Sequence, residues 1–169
     1  MDRASYVFVA RQLSRKERKT VMKQILSVIS LMLVVALGAS CTQVPTETTE
    51  VIVYKSAACG CCNEWIRHLK TNGFAVKAYD VQDLAQVKRQ NGVSPQLGSC
   101  HTARVGDYVI EGHVPAQDIK RLLAQKPAVT GLAVPGMPAG SPGMEGARKD
   151  PYNVYKFDKA GRTMVYARY

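Results

Sequence analysis

From residue 51 onward the apolar positions switch repeatedly between a period of about 2 and one of about 3.6, the mark of strands alternating with helices. Residues 51–55 (VIVYK) read as a buried strand. Residues 63–71 read as a helix with Trp65, Ile66 and Leu69 on its inner face and Asn72-Gly73 as its stop. Residues 74–79 alternate as a second strand. Asp83 opens a helix running to Gln90, with Leu84 and Val87 turned inward and Asn91-Gly92 closing it. Residues 102–105 and 108–111 predict a hairpin about Gly106-Asp107. Pro115 then starts a helix over 116–124, with Ile119, Leu122 and Leu123 on one side.

Beyond residue 126 the texture changes. Residues 131–146 (GLAVPGMPAGSPGMEG) are rich in Gly and Pro and predict an ordered loop or flap rather than a regular element. The flap repeats Pro-Gly-Met at Pro135-Gly136-Met137 and Pro142-Gly143-Met144. Residues 152–169 read as a second hairpin turning at 158–161. The order β-α-β-α-β-β-α predicts an α/β fold and resembles the thioredoxin-like layout: a sheet of mixed strands with flanking helices, here extended by the flap and the C-terminal hairpin.

The N-terminal segment has a different character. Residues 25–37 are apolar without a charge and follow the basic set Arg15, Lys16, Arg18, Lys19 and Lys23. That core is shorter than the roughly 20 residues a membrane span needs and fits a secretory leader. Met22 is an alternative start. Gly38-Ala39-Ser40-Cys41 resembles a bacterial lipoprotein cleavage site, which would place a lipid on Cys41; cleavage by the general signal peptidase is the rival reading. The expected organisation is leader 1–41, tether 42–50 and one domain over 51–169, with export to the periplasm, free or anchored.

The leader explains much of the charge. The chain carries +10, but residues 1–41 hold seven Lys/Arg against two Asp/Glu, half of the excess. The remainder is scattered, with no basic stripe and no interleaved aromatics, so nucleic acid is not an expected partner.

The chemistry concentrates at the first strand–helix junction. Cys59, Cys61 and Cys62 sit where the strand hands over to a helix N-terminus, and free N–H groups and the helix dipole favour thiolates there. Cys59 and Cys62 have C-x-x-C spacing and share a side; they are the candidate redox, and so catalytic, pair. Cys61 lies about 100° from Cys62 around the axis, so the three sulfurs are not expected to converge on one ion. They suit instead two or more small soft ions, Cu(I) above all. Cys100-His101 precedes the third strand, where thioredoxins carry a cis-proline that docks peptides. A thiol and an imidazole there favour metal over general disulfide exchange. Met137 and Met144 offer thioethers that bind Cu(I) and ignore zinc. His113 is a further candidate ligand, and His68 reads as an exposed helix residue. Asp107 and Glu111 show no acid–base pattern.

These runs, from VIVYKSAACGCCNEW through GSCHTARVGDYVIEGH to the Pro-Gly-Met flap and DPYNVYKFDKAGRTMVYARY, resemble the exported copper-resistance proteins of the CopG type. The resemblance spans residues 50–169. It implies a thioredoxin-like fold and copper binding through Cys59, Cys61 and Cys62, with further metal ligands at Cys100, His101, Met137 and Met144. It also implies interconversion of Cu(I) and Cu(II), which would make the protein a copper oxidoreductase. Copper, as a multinuclear Cu(I) cluster, is then the bound metal, and copper efflux or other exported copper proteins are the expected partners. A thioredoxin-type thiol–disulfide oxidoreductase and a non-redox copper carrier are the alternatives.

Overall fold

The computed structural model describes residues 48–169 together with Met22 and Lys23; the rest of the expected leader, Cys41 and most of the expected tether lie outside the described residues. Among the described residues from 48 onward, seven strands and three α-helices follow one another as β1 (Glu50–Lys55), α1 (Gly60–Thr71), β2 (Ala75–Asp80), α2 (Leu84–Gln90), β3 (His101–Val105), β4 (Tyr108–Glu111), α3 (Ala116–Gln125), β5 (Gly131–Ala133), β6 (Asn153–Phe157) and β7 (Thr163–Arg168). All strands join one mixed sheet in the order β2-β1-β3-β4-β5-β6-β7. β1 and β2 run parallel across α1, and β3 and β4 form the expected antiparallel hairpin. This is the thioredoxin-like α/β layout, with a three-strand extension beyond β4.

Period-2 patterning puts the core on both faces of the sheet. Val53, Ala103, Ile110 and Leu132 pair in register across β1, β3, β4 and β5. They lie in the larger cluster, under Trp65, Ile66 and Leu69 of α1 and Ile119 and Leu122 of α3. Their neighbours of opposite parity, Val109, Ala133 and Phe157, pack on the other face with Val93 and Leu97.

The helices end for local reasons. The Asp83 carboxylate accepts the Gln86 N–H at 2.8 Å, the expected cap of α2. Gly73, at φ 88°, carries the chain out of α1 in the left-handed region. Pro115 is the N-cap of α3, as its fixed φ predicts.

The structure differs from the expectations at three places. α1 begins at Gly60 rather than residue 63, so Cys61 and Cys62 belong to its first turn. Leu84 and Val87 are only half-buried and α2, which packs against β1 and β3, has no fully buried residue. Residues Gly131–Ala133, read as part of a loop, form β5 between β4 and β6. Three residues carry no periodic signal of their own; pairing on both sides makes them a strand.

Candidate metal centre

Four cysteine sulfurs meet at the N-terminal mouth of α1. Cys59 is the N-cap, in extended backbone with φ −80° and ψ 92°, and its side chain makes no cap hydrogen bond. The first turn contains no acidic residue, so its N–H groups and the dipole stay available to anionic sulfur. Cys59 and Cys62 are joined by a disulfide, with Cα atoms 5.4 Å apart, while Cys61 and Cys100 are free. Cys61 Sγ lies 3.6 Å from Cys59 Sγ and 3.8 Å from Cys100 Sγ. The Sγ atoms of Cys59, Cys61, Cys62 and Cys100 all lie within 4.8 Å of one another.

That convergence corrects the expectation that the sulfurs of Cys59, Cys61 and Cys62 would splay apart. Helix-wheel angles apply to side chains along a helix flank. Here Cys59 is outside the helix, and Cα–Cβ bonds in the first turn tilt toward the N-terminus. The thiols lean over the open end together, where the segment before β3 delivers Cys100.

Imidazoles complete the donor set. Cys100 Sγ is 3.0 Å from His113 Nε2 and 3.3 Å from His101 Nδ1, and Cys100, His101 and His113 form a second close group. His113 Nδ1 donates to the Pro142 carbonyl at 2.7 Å, which leaves Nε2 as the lone pair facing Cys100. His101 is fully buried, with Trp65 tilted against it at 4.3 Å between centroids and His113 edge-on at 5.1 Å. Its Nε2 has no hydrogen-bond partner. Burial holds His113 below the ordinary histidine range and His101 well below it, so both are neutral and able to donate a lone pair. Burial, together with the neighbouring Cys61, pushes the Cys100 thiol up to about 12. A bound cation would reverse that penalty.

The two methionines part company. Met137 Sδ stands 3.9 Å from Cys61 Sγ on a residue that is 51% exposed, at the mouth of the cluster. Met144 is a turn residue: its N–H donates to Ser141 O and its carbonyl accepts from Gly140 N–H, both at 2.8 Å. Its sulfur makes no contact with the thiols of the kind Met137 makes.

The flap is an ordered lid. Gly143, at φ 84°, lies against α1 so closely that a Cβ there would stand 2.7 Å from Trp65 N and 2.9 Å from Cys61 O. Ser141 is fully buried, with its hydroxyl donating to Pro138 O at 2.7 Å. At the flap's first turn, Gly136 N–H donates to Gly98 O at 3.0 Å and Ser99 Oγ donates to Gly136 O. The residues just before Cys100 and Met137 are thereby bridged.

What holds this bridge is not evident along the sequence. Glu111 is fully buried beneath it. Its carboxylate accepts the Ser99 N–H at 2.6 Å and the Thr102 hydroxyl at 2.7 Å, and pairs with Lys88 from α2. Burial raises the Glu111 pKa, against the pull of Lys88, Thr102 and the Ser99 N–H. A glutamate closing the otherwise apolar β4 was the available signal. His68 is also not an exposed residue. It is half-buried, and its Nε2 accepts the Ala116 N–H at 3.0 Å, capping α3.

A thioredoxin-like domain whose helix mouth carries four sulfurs, two neutral imidazoles and a thioether belongs to the class of thiol-rich domains able to hold a soft metal ion. Two solved structures described as copper resistance protein CopG, Form 2 and Form 1, are each 45% identical to the chain. They align with TM-scores of 0.70 and 0.69 over 73% of this chain and 99% and 98% of theirs. Residues 97–144 match the family described as "Protein of unknown function, DUF411". A search of curated proteins finds no match. The chain belongs to the CopG copper resistance protein family.

Proposed function

We propose that this protein is an exported copper-binding protein that protects against excess copper. The reduced site holds Cu(I) on the thiolates of Cys59, Cys61, Cys62 and Cys100, with His101, His113 and Met137 as further donors. The observation that carries the reading is the gathering of four Sγ atoms within 4.8 Å of one another, beside two neutral histidines. Sulfurs at this spacing also suit one tetrahedral zinc ion. Two features favour copper. Met137 adds a thioether, a ligand zinc does not select. The relatives are described as copper resistance proteins.

The Cys59–Cys62 pair supports redox conversion of the ion. Two thiols closing to one disulfide release two electrons and two protons, enough to take two Cu(II) to two Cu(I). The reverse step oxidises two Cu(I) when the disulfide opens. The leader read from residues 1–41 supports export to the periplasm, with a lipid on Cys41 if the lipoprotein site is used.

Anaerobic metal analysis tests the reading. The reduced protein is offered copper and zinc together, and metals retained after gel filtration are counted. Copper with little zinc is expected, reduced in Cys61→Ser. A single zinc ion in place of copper, or retention unchanged in Cys61→Ser, overturns it. An insulin-reduction rate like that of a thioredoxin would support disulfide exchange instead.

A further inference from the structure

The Cys59–Cys62 disulfide uses two of the four clustered sulfurs. The other two, Cys61 and Cys100, are free thiols 39 residues apart in sequence with their Sγ atoms 3.8 Å apart. We propose that Cys61 and Cys100 form a second redox pair, so that the fully reduced domain delivers four electrons rather than two. This deepens the redox reading above and rests on it for the identity of the electron acceptor, but not for the existence of the pair.

The geometry supports a second bond. A disulfide brings sulfurs to about 2.05 Å, so they must close by roughly 1.8 Å. Side-chain rotation can supply much of that, because both residues sit at element ends: Cys61 in the first turn of α1, Cys100 just before β3. Neither sulfur is sealed in. Both cysteines are half-buried, whereas Cys62 is fully buried. Cys61 also touches the exposed Met137 sulfur, where an incoming copper ion would first meet the cluster. The backbone that carries Cys100 is held by the Ser99–Glu111 contact, so the pair starts close without a loop having to search for it.

The chemistry balances with Cu(II) as oxidant. Cys61 and Cys100 each lose a proton to solvent and one electron to a Cu(II) ion. One S–S bond forms, and two Cu(I) are produced. Cys59 and Cys62 do the same. The fully reduced domain thus converts four Cu(II) to four Cu(I), releases four protons and ends with two disulfides. The second bond would tie the start of α1 to the start of β3 and withdraw the last two free thiols from metal. Oxidation would then discharge the cluster as well as supply electrons.

The test uses the full chain carrying Cys41→Ser, so that no leader thiol contributes. The protein is reduced anaerobically, freed of reductant and mixed with excess Cu(II) and a chromogenic Cu(I) chelator. About four Cu(I) per chain are expected, falling to about two in Cys61→Ser and in Cys100→Ser. Tryptic mapping of the oxidised parent protein should show the 56–67 peptide linked to the 90–104 peptide, four hydrogens lighter than the two reduced peptides. Two Cu(I) per chain, with Cys61 and Cys100 recovered as thiols, overturns the proposal. Diamide, an oxidant that needs no metal, separates the two readings. A Cys61–Cys100 link with diamide but no Cu(I) from Cu(II) keeps the pair and overturns the copper redox reading. No link with either oxidant overturns the pair.

Discussion

The buried carboxylate of Glu111 accepts the backbone N–H of Ser99 at 2.6 Å, and so holds the residue on which both Cys100 and the Met137 turn are hung. Lys88 supplies the compensating charge from α2 and also donates to Thr102 Oγ1 at 3.1 Å. A carboxylate this deep is tolerable only with its partners in place. Lys88→Met should therefore cost about 3 kcal/mol by leaving the Glu111 charge uncompensated. The double variant Lys88→Met/Glu111→Gln should recover much of that loss, since no charge remains buried. Urea melts of the metal-free protein decide the matter. A double variant as unstable as the single one would mean that the pair is not what holds this corner.

Gly143 and Gly136 occupy equivalent places in the Pro-Gly-Met repeat, but only Gly143 is pressed against backbone. Both have positive φ, 84° and 67°, so alanine at either should cost about 1–2 kcal/mol from the left-handed conformation alone. A Cβ at Gly136 meets nothing within 4 Å, whereas at Gly143 it meets Trp65 N and Cys61 O. Gly143→Ala should cost more than Gly136→Ala, and only Gly143→Ala should loosen copper by lifting the lid from α1. Paired melts and copper competition measure both. Equal losses in the two variants would show that the lid does not bear on the cluster.

Burial lowers the pKa of His68, His101 and His113 from 6.5. Below 6.5 the unfolded chain takes up protons that the folded one still refuses, so stability rises with pH through that window. It should be full above about pH 7 and fall progressively as the pH drops below 6.5. Glu111, raised by burial, works with the opposite sign. A variant that removes one histidine separates the contributions. His68→Gln keeps an acceptor for the Ala116 N–H and removes one titrating group, so its stability should fall less steeply on acidification. Urea midpoints of the metal-free protein from pH 8 to pH 5 give the comparison; parallel curves for parent and variant would contradict it.

Met137 is exposed and touches Cys61, so Met137→Leu should leave the melting temperature within the scatter expected of a surface change. It should speed Cu(I) loss to a competing chelator several-fold, with no effect on zinc. Met144→Leu should leave the rate of Cu(I) loss unchanged. If Met144 proves the stronger of the two, the flap must sit differently over the loaded cluster.

Periodicity carried most of the fold. Alternation at 51–55, the 3.6-residue spacing of Trp65, Ile66 and Leu69, the Asp83 cap, Pro115 and the turn at Gly106-Asp107 are local signals, and each produced the element it predicts. β5 was invisible because three residues become a strand only when β4 and β6 lie on either side.

The site divided along the same line. The clustering of Cys59, Cys61 and Cys62 at a helix start was written in the order of residues, as was the nearness of Cys100 to His101. That Cys100 comes within 3.8 Å of Cys61, that His113 turns its Nε2 to Cys100, and that Glu111 and Lys88 hold Ser99 are results of strand pairing and helix packing. Which elements form and which donor atoms are available can be read along the chain, because backbone preference and side-chain chemistry are properties of short stretches. Which sulfurs meet cannot, because their separation depends on how β3 is laid beside β1 and how the flap closes over the mouth of α1.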